Sequence, residues 1–313
     1  FYLGEIAQRI EADSQARGGH LTARDLADYR VRKRAPLDVD YRDARLSTNP
    51  MPSAGGILVA FALELLRDAE IGTHAFGTAD HLTLLARVME LTNKARVDSE
   101  LHATDGTPER LLRSDFVEAY RAQVLGRLAA NRGTTHVSVI DAQGNAASLS
   151  LTNGEGSAYI VPGTGVMLNN MLGEEDLNPQ GFHQWPGDRR MCSMLTPTLI
   201  TRTDGRLAVM GSGGSNRIRT AILQTLVNTL DFAMTLDDAV SRPRIHFEGG
   251  LLSIEPGFDN SSTAALEADF PSTQHWQERN MFFGGVHAVE FDPSRQRFSG
   301  VGDARRGGVV VRA

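Results

Sequence analysis

Residues Gly133, Thr134 and Thr135 stand directly ahead of an alternating run, in the stretch ANRGTTHVSVIDAQGNAASLSLTNGEG. A threonine hydroxyl inside a chain is a poor nucleophile. If the chain is cut between Gly133 and Thr134, the freed α-amine lies beside the Thr134 hydroxyl. Such an amine titrates near about 7.7–8, so part of it is neutral at pH 7 and can take the hydroxyl proton. A threonine with its own terminal amine is thus a nucleophile and base in one residue. Gly133 gives the backbone the freedom to bring the hydroxyl to the preceding carbonyl during self-cleavage. The plainer alternative is that Thr134 and Thr135 are two β-branched residues opening a strand.

A second constellation suits the same chemistry. In MGSGGSNRIRTAILQ, Gly211, Gly213 and Gly214 form a tight loop ahead of a helix that Ser215 or Asn216 would cap. Backbone N–H groups in such a nest favour negative charge, including a tetrahedral oxyanion. The alternative is a glycine turn required for close packing. A phosphate loop is disfavoured because no Lys-Ser/Thr follows. His136, pointing to the side of its strand opposite Thr135, reads as a packing or hydrogen-bonding residue. The other histidines show no ligand spacing, so neither metal nor cofactor is expected. Cys192 sits in an apolar stretch and reads as a small buried hydrophobe.

The elements that must hold these residues are legible in outline. Leu3, Ile6, Ala7 and Ile10 follow helical spacing, and Thr22 would cap a second helix. PLDVDYRDARLSTNP reads as a strand or hairpin. MPSAGGILVAFALELLRD reads as a loop feeding an apolar helix, and ADHLTLLARVMELTNKARVDSELHA as a long amphipathic one. PERLLRSDFVEAYRAQVLGRLAA predicts one or two more. From Gly133 the texture changes: THVSVID and AASLSLT form a hairpin around AQGN, and two strands flank the Asp-Gly of MLTPTLITRTDGRLAVMGSGG. SNRIRTAILQTLVNTLDFAM is again helical. Helices, then paired strands, then helices predict an α+β fold with a boundary near 133/134.

Composition bounds the function. The 313 residues are 41% hydrophobic and 22% charged, with a net charge of −6 and a pI of about 5.9. The basic pieces RVRKRAP and DARRGG are short and carry no interleaved aromatics, which disfavours nucleic acid as a partner. A lone cysteine excludes an internal disulfide and a thiolate cluster. No apolar run reaches the ~20 residues of a membrane span. The chain opens at Phe1 on a helix in progress, so an upstream segment is expected and the compartment stays open between cytoplasm and periplasm or secretion.

TTHVSVID with its following GN, VPGTGVMLNNM, MLTPTLI, GSGGSNRI and a terminal GDARRGG, in this order, resemble the γ-glutamyltransferase family; so do FYLGEIAQRI, DLADYRVRKRAPL and PMPSAGGI before them. The resemblance implies an N-terminal-nucleophile hydrolase with a four-layer αββα sandwich. It implies a precursor that cuts itself into a helix-rich large subunit, here 1–133, and a small catalytic subunit, here 134–313. Carried onto this chain, Thr134 is the nucleophile and Gly213 and Gly214 hold the oxyanion. Thr152 and Asn153 support nucleophile and substrate, and Asn170 belongs to the same substrate site. Glu174, beside Glu175 and Asp176, takes the place of the acid that grips the substrate ammonium. Ser193 matches the first of two serines that hold the substrate carboxylate. Two positions depart from the pattern: Met171 follows the Asn169-Asn170 pair, and Met194 replaces the second serine. The family's carboxylate-binding arginine is expected upstream of Phe1. The implied reaction is γ-glutamyl transfer or hydrolysis, with water or an amino acid as acceptor. A glutaryl-type amidase and an unprocessed, inactive binding protein are the alternatives.

Overall fold

The structure is a computed structural model that describes residues 1–99, 111–113, 116–117, 120, 134–174, 177, 184–185 and 187–312. Gly133, Glu175 and Asp176, and most of the helices expected over 108–130, lie outside the described residues. The first two helices are α1 (Glu5–Ala16) and α2 (Ala23–Asp28). Thr22 caps α2 as its sequence predicts: the Asp25 amide donates to Thr22 Oγ1 at 3.2 Å, and the Thr22 amide donates to Asp25 at 2.8 Å. This reciprocal box satisfies two otherwise orphaned donors. α3 (Ala54–Leu66) is hydrophobic on every side and buried almost throughout, as a central helix must be. α4 (Ala79–Asp98) packs beside it. Among the described residues no helix is long and apolar enough to cross a membrane.

Most strands are hairpins whose turns are written in the sequence. β1 (Leu37–Tyr41) pairs with β2 (Ala44–Thr48). β3 (Thr135–Ile140) pairs antiparallel with β4 (Ala146–Leu151), with Thr135 opposite Leu151. β5 (Thr198–Arg202) and β6 (Leu207–Gly213) flank Asp204-Gly205, where Gly205 takes a φ of 86°. β7 (Ile245–Glu248) and β8 (Leu251–Ile254) pair antiparallel, and β9 (Thr273–His275) adds to β8 in parallel. β10 (Gly285–Asp292) and β11 (Arg297–Gly302) complete the set.

Six strands form one sheet in the order β1-β2-β5-β6-β10-β11. β2 pairs with β5, so segments on both sides of Thr134 share one sheet and one core. The core lies on the face covered by α3, α4 and α5 (Arg217–Leu230), where Met210, Val286 and Ala288 point into it. Two shorter helices, α6 (Leu236–Ser241) and α7 (Asn260–Asp269), pack at its margin.

Alternation along β6 turns Gly211 and Gly213 to the opposite face, and there the β3–β4 hairpin lies. Its inner side is polar and small. The Ser138 hydroxyl donates to the His287 carbonyl at 3.1 Å, and the Ser148 hydroxyl to the Met210 carbonyl at 3.1 Å. The buried His136 ring sits between the Ser150 and Ser138 hydroxyls, each at 2.8 Å. The apolar side faces outward, with Val137, Val139, Leu149 and Leu151 exposed at 45%, 50%, 51% and 55%. The expected α+β architecture is therefore present as a helical layer, a large sheet and a small sheet.

Two outcomes follow from this packing. A β-carbon at Gly211 would stand 2.3 Å from the His136 ring, so Gly211→Ala should lower stability by about 1–3 kcal/mol in urea unfolding. Unchanged stability would show that the sheets do not approach so closely. Burial also holds His81, His136 and His246 neutral, each pushed down to about 4 from 6.5. Between those values the unfolded chain binds protons that the folded chain refuses. Stability should be full above pH 6.5 and fall as pH drops through that window toward 4. Unfolding midpoints that stay level from pH 7 to 4.5 would contradict neutral buried rings.

Candidate active site

β3 begins immediately after Thr134, so the strand fixes where this residue's backbone lies. The Thr134 carbonyl presses against Gly213: a β-carbon there would stand 2.1 Å from the Thr134 oxygen. Gly213 must be glycine for this contact to exist. Gly214 follows with a φ of 129°, a backbone conformation that side-chain-bearing residues rarely adopt, and its β-carbon would stand 3.0 Å from Gly284 Cα. Among the described residues no acceptor takes the Gly214 N–H. The loop then enters α5 with the Arg217 amide donating to the Gly214 carbonyl at 3.0 Å. The expected side-chain cap is not found. Asn216 stands at the cap position without capping, because its side-chain oxygen accepts from Arg96 at 3.0 Å. Ser215 takes a φ of 51° and borders the cavity instead.

The Thr134 hydroxyl is 3.5 Å from Thr152 Oγ1, the long end of hydrogen-bond distance, and Thr152 Oγ1 accepts the Gly154 amide at 3.0 Å. Gly154 takes a φ of 67°, which favours glycine. A β-carbon there would lie 2.1 Å from Glu174 Oε1 and 2.3 Å from Asn170 Oδ1. The loop after β4 thus closes directly onto the loop carrying Glu174. Asn153 and Asn170 tie the two loops together. The Asn170 amide donates to the Asn153 carbonyl at 3.2 Å, and Asn170 Oδ1 accepts the Glu155 amide at 2.9 Å. The Asn153 side chain itself is exposed.

Ser193 comes in from the other side, on the segment leading to β5. Its carbonyl accepts the Ala54 amide at 2.8 Å, and its hydroxyl is 3.2 Å from the Ser53 hydroxyl. Ser53 in turn donates to the Leu195 carbonyl at 2.5 Å. Gly55 and Gly56 permit this docking, since β-carbons there would meet the Met194 and Asn49 carbonyls at 2.3 and 2.2 Å. Ser53 was not singled out from the sequence, although PMPSAGGI contains it; only the packing shows its link to Ser193.

Thr134, Thr152, Glu174 and Ser193 line one narrow, partly open cavity, with Ser215 and an apolar wall of Met171, Leu177, Met194, Leu195 and Ile218. Glu174 is buried there, 4% exposed. Asn153, Asn170, Gly213 and Gly214 form its surroundings rather than its lining. The arrangement brings the Thr134 hydroxyl beside a glycine turn, with a buried carboxylate and a serine hydroxyl across the cleft. His136 is tied to its two serines, and burial, then His287, holds it at about 4; it is a structural neighbour and not a base.

The GDARRGG segment, read only as a motif in the sequence, anchors the rear of the site. Asp303 accepts the Val286 amide at 3.0 Å and meets Arg244 at 2.8 Å and Arg305 at 3.2 Å, while Arg305 reaches Glu255 at 2.5 Å. Burial pushes the Asp303 carboxyl up, but Arg244 and Arg305 outweigh it and hold it below the usual range.

The whole chain is similar to known proteins. A glutathione hydrolase proenzyme of Escherichia coli is 28% identical over 309 residues, covering 86% of this chain and 51% of the relative. An acylase ACY 1 proenzyme of a Pseudomonas strain is 31% identical over 308 residues, covering 93% of this chain and 54% of the relative. The chain therefore spans about half the length of the curated relatives it matches. The fold is similar to that of the cephalosporin acylase of Bacillus halodurans, with a TM-score of 0.82 at 24% identity over 99% of this chain and 59% of that one. The gamma-glutamyltranspeptidase family profile matches residues 1–313, and the chain belongs to that family.

Proposed function

We propose that this chain is the catalytic portion of an N-terminal-nucleophile enzyme that transfers or hydrolyses γ-glutamyl groups of glutathione-like amides. The observation that carries the reading is the single cavity in which Thr134, Thr152, Glu174 and Ser193 meet. Cleavage between Gly133 and Thr134 frees the amine. Thr134 Oγ then attacks the γ-carbonyl carbon and gives its proton to that amine. The Gly213 and Gly214 N–H groups hold the oxyanion. The carbon–nitrogen bond breaks, the ammonium protonates the leaving amine, and an acyl-threonine ester remains. Water or an amino acid's amine attacks the ester and restores the hydroxyl. Glu174 takes the substrate ammonium and Ser193 its carboxylate, with Asn153 and Asn170 shaping the loops around them. The cut divides one folded unit into a large part ending at 133 and a small part beginning at 134. The four-layer αββα sandwich belongs to the same proposal. The outward apolar side of β3–β4 is the face a fourth layer covers.

A second reading keeps the chemistry and changes the acyl group. Met194 and Met171 stand where the family resemblance leads one to expect polar groups, and with Leu177, Leu195 and Ile218 they make one wall apolar. A glutaryl-type acyl chain suits that wall, and relatives named as acylases match the chain as well as those named as glutathione hydrolases.

The test uses the complete precursor with γ-glutamyl- and glutaryl-p-nitroanilide. Thr134→Ala should lose at least about 10³-fold in kcat/KM, and Thr135→Ala less than about tenfold. Gly213→Ala should lose about 10²-fold in kcat, because its methyl group displaces the Thr134 carbonyl. A higher kcat/KM for the γ-glutamyl anilide supports the first reading, and a higher value for the glutaryl anilide supports the second. An unimpaired Thr134→Ala enzyme contradicts both. A wild-type protein that turns over neither anilide, and in which Thr134→Ala changes nothing beyond stability, is the inactive binding protein.

A further inference from the structure

The glycine floor at Gly213 accommodates a second group besides Thr134. The point where a Gly213 β-carbon would stand is 2.1 Å from the Thr134 carbonyl oxygen and 3.4 Å from Arg306 Nη1. The corresponding point at Gly214 is 3.3 Å from Arg306 Nη2. The aliphatic stem of Arg306 lies flat on Gly285, whose β-carbon would meet its Cδ at 2.6 Å and its Cγ at 2.7 Å. Three glycines thus leave room for one arginine. Its Nη2 donates to the Met281 carbonyl at 3.3 Å, and its Nε is buried without an acceptor. No carboxylate among the described residues lies within ion-pair distance of it. Asp303, three positions earlier, is already engaged by Arg244 and Arg305. Burial outweighs Asp303 and holds the Arg306 guanidinium below its ordinary value, though an arginine remains a cation at any working pH.

We propose that Arg306 is a positioning residue whose fixed positive charge, set beside the Gly213–Gly214 loop that the Thr134 carbonyl touches, keeps the freed Thr134 amine neutral and able to act as base near pH 7. The inference rests on Thr134 being the terminal nucleophile. A like charge nearby disfavours the ammonium form and lowers an amine's pKa. Other groups facing Thr134 do not supply this effect. His136 on β3 is buried and neutral, and His287 on β10 is also held below its ordinary value by burial, with its Nδ1 accepting the Asp303 amide at 3.2 Å. β4 and β6 present only hydroxyls, glycines and apolar groups at this end. Glu174 across the cavity acts in the opposite sense and makes an opposing cation more necessary.

The test uses the matured complete protein as wild type, Arg306→Gln and Arg306→Lys. The pKa of the Thr134 amine is read from the pH dependence of its labelling by an amine-acylating reagent, followed by mass spectrometry of the amino-terminal peptide. This readout needs no substrate. Arg306→Gln should raise that pKa by about one unit, and the acid limb of kcat/KM with it, while Arg306→Lys stays within a few tenths of wild type. An unmoved pKa in Arg306→Gln, or an equal rise in Arg306→Lys, overturns the proposal and leaves the nucleophile reading intact. Should Arg306→Gln not mature, the wild-type amine decides at increasing salt. Screening a neighbouring cation raises its pKa, and no rise or a fall counts as failure. Absence of any free Thr134 amine in wild type is a failure of the nucleophile reading itself.

Discussion

The site depends on how closely the β3–β4 hairpin and the Arg306 loop approach the large sheet at positions where that sheet carries no β-carbon. Gly211 takes the His136 ring, Gly213 takes the Thr134 carbonyl, and Gly285 takes the stem of Arg306. Interiors are packed to crystal-like density, so a contact of this kind is either built for or impossible. Because it is built for, the start of β3 cannot drift relative to the Gly213–Gly214 loop. Thr134 and the glycine loop then keep one mutual geometry through packing alone. Hydroxyls of Ser138 and Ser148 add directional contacts to carbonyls of the large sheet, which fixes the hairpin's register as well as its distance.

Charge is arranged around this contact in a graded way. Asp303, Arg244, Arg305 and Glu255 form a buried knot, and Arg96, Arg219 and Glu248 form another under the start of α5. Buried ion pairs are weak arguments for net stability, since desolvation offsets most of their attraction. Their service here is placement. The first knot holds the loop that carries Arg306. The second, with Asn216 accepting from Arg96, holds the turn into α5 in place of a side-chain cap. The cavity side is the reverse, with one buried carboxylate, a few hydroxyls and a wall of methionine and branched side chains. In that contrast Thr134 and the glycine loop are tightly constrained, while the apolar wall is soft and easily altered.

Much of the fold was legible because local rules set it. The Thr22 box, the Asp204-Gly205 turn, the β3–β4 hairpin and the apolar α3 each follow from a few adjacent residues. Thr134, Thr152, Glu174 and Ser193 could be named from the sequence, although their convergence depends on loops far apart in the chain. What was hidden is tertiary. Alternation in THVSVID and AASLSLT shows a strand with two unlike faces, yet it does not say which face turns inward. Here the serine and histidine face does, because the opposing surface is glycine and backbone carbonyl. Ser215 and Asn216 have the right chemistry for a cap, but Arg96 from α4 competes for the Asn216 oxygen. Ser53 and Arg306 lie in PMPSAGGI and GDARRGG, but neither segment shows the contact with Ser193 or with the Gly213–Gly214 loop, which tertiary packing creates.

The account turns on a backbone bond. The mass of the purified, fully active complete protein, with identification of each chain's first residue, examines it most directly. The account predicts two chains, the smaller opening at Thr134 with a free α-amine, and an undivided chain when Thr134 is replaced by alanine. Full activity in a preparation whose residues 133 and 134 are still joined would contradict it.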